Sequence, residues 1–180
     1  MSCTGVLLVG GASTRFGSPK AHARLGSETL AERAWRVLGE ACDERLAFGK
    51  AADALGLPFE VREDGTGVRA PLAGIVAGLR AARHEVCVFL PVDVPLVEPR
   101  SLRALADACR DAAVPPTGPL PGAYRRSALP VLEARLRNGD LALRDALAEL
   151  DVAVVEIAEA ELANVNEPDD LARLPPGKRR

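Results

Sequence analysis

The stretch that most constrains the fold of this chain is residues 5–20, where a short apolar segment is followed by a loop that contains Gly10, Gly11 and Gly17. Residues 5–9 are small or apolar and are long enough for a buried strand, whereas the apolar residues after position 29 recur at helical spacing. Glycines let the backbone adopt positive φ angles and bring its N–H groups close to a bulky anion. The stretch therefore predicts an α/β protein with an anion-binding loop after its first strand.

Two cations lie in the same loop, and their spacing distinguishes it from the common nucleotide-binding loops. Arg15 offers a planar fork of donors and Lys20 a mobile point charge, a combination that suits a triphosphate. The spacing does not match the dinucleotide fingerprint, and Lys20 is followed by Ala21 rather than by the serine or threonine that binds magnesium in a P-loop. The loop predicts binding of a nucleoside triphosphate. The plainer interpretation, a glycine-rich turn with two solvated cations, stays open at this point.

Predicted strands and helices alternate along the rest of the chain. Thr29 and Glu32 form a capping box at the start of one helix, and Pro71 is placed to open another. The predicted strands are 5–9, 45–48, 59–61, 85–90 and 152–157, and the predicted helices are 30–41, 51–55, 71–82, 99–112, one that ends near 138–139, 141–150 and one that Pro168 opens. This alternation predicts a Rossmann-like three-layer αβα sandwich around a mostly parallel sheet. Residues 1–174 are expected to form a single domain, followed by a basic tail over residues 175–180 that is predicted to be disordered.

A carboxylate follows the apolar segment 85–90, in the sequence Pro91-Val92-Asp93-Val94-Pro95. Ligands of open parallel sheets bind beyond the carboxyl ends of the strands, so Asp93 is positioned for chemistry. Mg²⁺ is held by one or two carboxylates together with substrate phosphates. Asp93 is therefore the predicted magnesium ligand, and the alternative is an aspartate that only caps the next helix.

Composition narrows the kinds of partner. The formal net charge is −2 and aromatic residues make up 3% of the chain, which argues against nucleic-acid binding through a basic surface or stacked bases. No apolar run is long enough to span a bilayer, and residues 1–4 lack the charged region of a signal peptide. The cysteines are far apart and are expected to be reduced, mostly buried apolar residues: Cys3, Cys42, Cys87 and Cys109. We expect a cytoplasmic protein without nucleic-acid or membrane partners.

Four motifs, in order, resemble the signature of the molybdenum cofactor guanylyltransferase family, which joins GMP to molybdopterin. They are G-G-x-S-x-R-x-G-x-x-K over residues 10–20, an aspartate followed by P-L-x-G-x-x-x-G-L within residues 64–79, D-x-P over residues 93–95, and N-x-N-x-P-x-D-L over residues 164–171. The resemblance covers nearly the whole chain. It implies a sandwich of the nucleotide-diphospho-sugar transferase type, Mg²⁺ as cofactor, GTP and molybdopterin as substrates, and transient contact with molybdoenzymes or their chaperones.

The resemblance also implies roles for individual residues. It makes Arg15, Lys20 and Asp93 the catalytic residues, with Asp93 as the metal ligand. The residues implied in substrate binding are Leu8, Val9, Gly10, Gly11, Lys20, Asp64, Gly74, Asp93, Arg125, Asn164 and Asn166. Among them, Asp64 contributes to GTP binding, and the backbone near Leu8 and Val9 sets the choice of base.

The least direct of these assignments have plainer alternatives. Asp64 reads as an ordinary loop carboxylate from composition alone. Gly74 either lets the helix approach a nucleotide or permits close packing of helix on strand, and Arg125, a candidate for the acceptor phosphate, could equally be solvated. The asparagines of the closing motif lie near the active site in the family, whereas Asn166 or Glu167 could instead only start the helix that follows.

The chain departs from the family at two positions. Val92 stands where members usually have a cysteine, and Gly49 stands near where members can carry an asparagine that contacts the nucleotide. The implied reaction is in-line transfer, in which an acceptor phosphate attacks the α-phosphorus of Mg·GTP and pyrophosphate leaves. The alternatives are a related nucleotidyltransferase that uses CTP or another NTP on molybdopterin or on a sugar or polyol phosphate, and a non-catalytic nucleotide-binding subunit for cofactor delivery.

Overall fold

The computed structural model of the chain describes residues 1–10, 19–50 and 56–174. The strands within these ranges are β1 (Thr4–Leu8), β2 (Arg24–Leu25), β3 (Glu28–Thr29), β4 (Glu44–Gly49), β5 (Arg62–Glu63), β6 (Val86–Pro91), β7 (Ala112–Val114), β8 (Gly122–Arg125) and β9 (Val152–Val154). The helices are α1 (Leu30–Ala41), α2 (Pro71–Ala81), α3 (Pro99–Ala108), α4 (Leu129–Asn138), α5 (Leu143–Leu147) and α6 (Pro168–Arg173). Short 3₁₀ turns cover Lys20–His22, Arg126–Ala128 and Glu159–Leu162.

One sheet of seven described strands, in the order β5-β4-β1-β6-β8-β7-β9, runs through the molecule, and β2 and β3 form a separate hairpin. β1 is parallel to β4 and β6, β5 is parallel to β4, and β9 is parallel to β7. β8 is antiparallel to both of its neighbours, β6 and β7. The predicted mostly parallel sheet is thus confirmed. Every strand of this sheet except β8 points the same way, so their carboxyl ends share one edge, called the carboxyl edge below.

Helices cover both faces of the sheet, which makes three layers. Leu7 of β1 packs with α1 and α3 on one face, whereas Val6 and Leu8 pack with α2, α4 and α5 on the other. Because both faces of the sheet are covered, β1 is buried at every position, and its apolar residues Val6, Leu7 and Leu8 are consecutive rather than alternating. The predicted αβα sandwich is confirmed. No helix in the described part of the chain is long and apolar enough to cross a membrane.

Local sequence signals explain where two of the helices begin. At the start of α1 the Thr29 hydroxyl accepts from the Glu32 N–H at 3.1 Å, and the Glu32 carboxylate accepts from the Thr29 N–H at 2.8 Å. This is the predicted capping box, which satisfies N–H groups that an isolated helix leaves unpaired. Pro71 is the first residue of α2, where its missing N–H costs nothing.

Several predicted elements have different bounds. Helix 99–112 ends at Ala108, because residues 112–114 leave it to pair with β8 and β9 as strand β7. The strand expected at 59–61 is β5 at Arg62–Glu63, and Phe59 instead stacks on Trp35 with ring centroids 4.3 Å apart. Helix 141–150 shortens to Leu143–Leu147, and strand 152–157 shortens to Val152–Val154. The helix expected at 51–55 and the tail at 175–180 lie outside the described residues.

Candidate active site

Residues that follow four neighbouring strands line the carboxyl edge. Asp64 follows β5, Lys50 follows β4, Val9 and Gly10 follow β1, and Asp93 lies just beyond β6. Neighbouring strands are about 4.8 Å apart, so these positions span roughly 14 Å along the edge. That is room for an elongated ligand laid across the strand ends, as expected for open α/β sheets.

Three of the four sequence motifs meet at one end of this row. The ammonium of Lys20 lies 3.7 Å from the Asp93 carboxylate and donates a hydrogen bond to the Asn166 side-chain oxygen at 3.2 Å. Lys20 is 16% exposed and Asp93 31%, so both side chains are partly buried yet open to solvent. Residues from the start, middle and end of the chain thus form one polar cluster, here called the Lys20 cluster (Lys20, Asp93 and Asn166).

The backbone around Asp93 is held from several directions. The Val94 N–H donates to the Pro91 carbonyl at 3.4 Å, which closes a turn around Asp93. The Asp93 carbonyl accepts from the Val165 N–H at 2.8 Å, and Arg33 of α1 donates to the Pro95 carbonyl at 2.6 Å. The carboxylate therefore projects from a loop that both α1 and the closing motif hold in place.

The closing motif is itself tethered to the molecule. The buried Glu161 carboxylate accepts from the Glu98 N–H at 3.0 Å and from the Ser101 hydroxyl at 2.6 Å, at the start of α3. On the other side of the motif, Glu167 caps α6, and the Asn166 N–H donates to Asp170 at 2.8 Å. The backbone of this motif therefore starts a helix, while the Asn166 side chain reaches Lys20.

The charges of the Lys20 cluster suit a metal cation that binds both the Asp93 carboxylate and a phosphate. Burial raises the pKa of Asp93, and the positive charge of Lys20 acts in the opposite direction. A partly exposed carboxylate beside a lysine fits the way Mg²⁺ is held in nucleotide enzymes, where its other ligands come from phosphate and water. Asp93 therefore fits the metal-binding role that the sequence predicts for it.

A second polar group, which the sequence did not predict as a unit, lies at the other end of the row. The Lys50 ammonium donates to both Asp64 carboxylate oxygens, at 2.8 and 2.9 Å, and to the Thr66 carbonyl at 2.6 Å. Thr66 donates to Asp64 Oδ1 from its N–H at 2.9 Å and from its hydroxyl at 2.8 Å. These contacts hold the pKa of Asp64 below its usual value despite its burial, which alone would raise it. Lys50 is absent from the site residues predicted from the sequence. The argument that selected Asp93, a charged residue just past a strand end, applies equally to Lys50.

The remaining predicted residues near β1 have defined places. The Val9 N–H donates to the Phe48 carbonyl at 2.8 Å, and the Leu8 carbonyl accepts from the Val92 N–H at 3.3 Å. Gly10 is exposed at the end of β1, and Asn164 is exposed two residues before Asn166. Gly74 is buried in α2, where a Cβ would lie 2.7 Å from Leu8 Cδ2, so this glycine lies where α2 packs closely on β1.

Arg125 does not lie at this edge. It pairs with Val86, the first residue of β6, because β8 runs antiparallel to β6, so it lies at the opposite end of the sheet from Asp93. Its guanidinium donates to the carbonyls of Arg110 and Cys109 at 2.9 and 3.0 Å. The expectation that Arg125 binds the acceptor phosphate is corrected accordingly.

Two predicted residues of the first loop, Gly11 and Arg15, lie outside the described residues. Their roles stay predictions from the sequence. Lys20, at the far end of the same loop, is within the described residues and lies in the Lys20 cluster.

A mostly parallel αβα sandwich with a lysine, an aspartate and a glycine-rich strand end gathered at its carboxyl edge defines a nucleotidyltransferase of the nucleotide-diphospho-sugar transferase fold. Residues 5–154 match the family described as the MobA-like NTP transferase domain. The chain belongs to this family.

Individual relatives agree with this assignment. A probable molybdenum cofactor guanylyltransferase of Opitutus terrae is 35% identical over 188 residues, which cover 94% of this chain and 93% of the relative. A protein of the same description from Bacillus subtilis is 33% identical over 190 residues, with 97% and 95% covered. The crystal structure of molybdopterin-guanine dinucleotide biosynthesis protein A from Archaeoglobus fulgidus superposes with a TM-score of 0.80 at 26% identity, covering 95% of this chain and 96% of that one.

Proposed function

We propose that this chain is a molybdenum cofactor guanylyltransferase, which transfers GMP from Mg·GTP to molybdopterin, forms the guanine dinucleotide cofactor and releases pyrophosphate. The observation that carries the proposal is the Lys20 cluster, in which a loop lysine and a strand-end aspartate lie 3.7 Å apart. The similarity to named guanylyltransferases at 33–35% identity over nearly the full chain supports the choice of substrates.

The phosphates of GTP bind at the Lys20 cluster and along the backbone after β1. The nucleoside then extends across the ends of β4 and β5 toward Lys50 and Asp64. This orientation is supported by the strand order, which puts Asp64 and Asp93 at opposite ends of the row. It also places the positive charge of Lys20 next to the negatively charged phosphates.

The reaction is an in-line displacement. A phosphate oxygen of molybdopterin forms a bond to the α-phosphorus of GTP, the bond between that phosphorus and the bridging oxygen to the β-phosphorus breaks, and pyrophosphate leaves with the electron pair. Lys20 stabilises the charge that builds on the leaving pyrophosphate, and the Asn166 side chain orients Lys20 through its hydrogen bond. No covalent enzyme intermediate is needed.

Asp93 is the residue that would hold Mg²⁺. When bound, the ion neutralises charge on the transferring phosphates. The position of the Asp93 carboxylate is fixed, because its loop is hydrogen-bonded to the closing motif and to α1. The cytoplasmic location, an expectation from the composition of the chain, and the transient contact with molybdoenzymes or their chaperones, which the family resemblance implies, are also part of the proposal.

A pyrophosphate-release assay with molybdopterin, Mg²⁺ and each of GTP, CTP, ATP and UTP tests the proposal. We expect release with GTP that depends on molybdopterin. Release only with CTP would overturn the guanylyl assignment, and nucleotide binding without any release would favour a non-catalytic delivery subunit. Comparing the four nucleotides matters because Gly49 stands near the position where family members can carry an asparagine that contacts the nucleotide.

The Lys20→Ala and Asp93→Ala variants test the site assignment. Each is expected to lower turnover by a factor of about 100 or more, the usual scale for removing a group that stabilises transition-state charge. The exposed Asp140→Ala variant is the matched control and should retain wild-type turnover. Wild-type turnover in folded Lys20→Ala or Asp93→Ala protein would refute these roles.

A further inference from the structure

The hydrogen bonds of Lys50 tie it to Asp64 and to the loop that follows β5. Its ammonium donates to the two Asp64 oxygens and to the Thr66 carbonyl. The side chain is 18% exposed and that of Asp64 is 7% exposed, so the pair is shielded from water on most sides. Lys50 is therefore held against Asp64 and fixes the position of its carboxylate.

The two oxygens of Asp64 are not used equally. Oδ1 accepts from Lys50 and twice from Thr66, whereas Oδ2 accepts from Lys50 alone among the hydrogen bonds within the described residues. Oδ2 is thus the less occupied of the two oxygens and the one to which a further donor, such as a hydroxyl or an N–H group, would bind.

The pair also lies beside the start of the phosphate loop. A Cβ at Gly49, the residue before Lys50, would lie 3.1 Å from the Val9 carbonyl oxygen, so β4 and β1 end in close contact. Asp64 directly follows Glu63, which pairs with Gly49. A nucleotide whose phosphates lie beyond β1 would have its nucleoside within reach of this pair.

We propose that Lys50 is a positioning residue for nucleotide binding, which holds the Asp64 carboxylate oriented so that Oδ2 accepts one hydrogen bond from the nucleoside of the bound NTP. The inference rests on the proposed function, because it takes the ligand to be a nucleoside triphosphate. Thr66 fixes the other carboxylate oxygen, so Lys50 and Thr66 together leave Asp64 a single orientation. The Lys50–Asp64 pair thereby supplies the side-chain contact to the nucleoside beside Gly49, which has no side chain.

The test compares binding of GTP with binding of tripolyphosphate, which has the phosphates but no nucleoside. Lys50→Met keeps a side chain of similar length without charge or donors. We expect its Kd for Mg·GTP to rise about tenfold or more, the fold-change that corresponds to weakening a hydrogen bond to a charged group. Its Kd for magnesium tripolyphosphate should equal that of the wild type, because that ligand lacks the nucleoside. Lys50→Arg should restore part of the GTP affinity, since a guanidinium also binds a carboxylate.

A double-mutant comparison separates positioning from a general effect on folding. Asp64→Asn should weaken GTP binding, and adding Lys50→Met to Asp64→Asn should weaken it no further, because Lys50 acts through the Asp64 carboxylate. Folding of every variant is checked by thermal unfolding without ligand. Wild-type GTP affinity in folded Lys50→Met protein would overturn the inference, as would a clear further loss in the double variant or an equal loss for tripolyphosphate. If wild-type protein binds tripolyphosphate but no NTP, the proposed function fails instead.

Discussion

The two glycines of α2 offer a prediction in which opposing energies can be weighed. A glycine within a helix costs about 1 kcal/mol relative to alanine, so Gly→Ala alone would stabilise the helix. At Gly78, however, the added Cβ would lie 2.7 Å from Phe89 Cε1 and 3.1 Å from Val6 Cγ1. Both neighbours are fully buried, so neither can move aside without disturbing the core. Overpacking of this kind costs about 1–3 kcal/mol, and we expect Gly78→Ala to be destabilised by about 1 kcal/mol net.

Gly74 differs in what its Cβ would meet. The nearest atom is Leu8 Cδ2 at 2.7 Å, and the next, Leu8 Cγ, is 3.9 Å away. The contact involves only the tip of one flexible side chain at the end of β1, and a rotation of that side chain relieves it. Gly74→Ala is therefore expected to be as stable as the wild type or up to about 1 kcal/mol more stable.

Thermal unfolding of the two variants checks this reasoning. For a chain of this size 1 kcal/mol corresponds to about 2–4 °C, so Gly78→Ala should unfold about 2–4 °C below the wild type. Gly74→Ala should unfold at or above the wild-type temperature. A Gly78→Ala protein at least as stable as the wild type would refute the packing argument. The KM of Gly74→Ala for GTP should be unchanged, whereas a large increase would mean that Gly74 is needed for approach of the nucleotide.

Two further predictions follow from ion pairs and strand direction. Arg125→Ala should leave the KM for molybdopterin unchanged in a steady-state assay, because its guanidinium binds carbonyls at the edge opposite Asp93; a raised KM would return Arg125 to the site. Because the pKa of Asp64 is lower in the folded than in the unfolded chain, its stabilising contribution is complete above the ordinary aspartate range and is lost as the pH falls through the folded-state value. The difference in free energy of unfolding between wild type and Lys50→Met, measured by urea titration at several pH values, should therefore shrink on acidification, and a constant difference would contradict the assignment.

Parts of this fold that depend on local signals could be predicted from the sequence. The capping box at Thr29 and Glu32 fixes the start of α1 through contacts three residues apart. Lys20 and Asp93 could be expected together for a different reason: Asp93 lies just beyond β6, Lys20 ends the loop that begins after β1, and parallel strands end at a common edge. Neither inference needs knowledge of which distant strands pair.

The direction of strand β8 could not be predicted from local sequence. Its four residues, Gly122–Arg125, pair with β6 and β7 in antiparallel fashion, and nothing in their own sequence specifies that direction. The predicted helix 99–112 includes Ala112, which is instead the first residue of β7, since a short apolar run fits either element. The direction of β8 alone decides that Arg125 lies at the edge opposite Asp93 instead of beside it.

The Lys50–Asp64 pair depends on where β5 pairs with β4, which the local sequence does not specify. With a strand at 59–61, Asp64 lies three residues beyond the strand end and is an ordinary loop carboxylate. In the structure β5 ends at Glu63, opposite Gly49, so Asp64 and Lys50 each follow directly after paired residues and lie side by side. A shift of a few residues in one two-residue strand thus converts an expected solvated carboxylate into one that Lys50 and Thr66 hold in place. Since only the pairing of β4 with β5 determines that shift, the polar group on which we expect nucleoside binding to depend becomes visible once the strands are assembled.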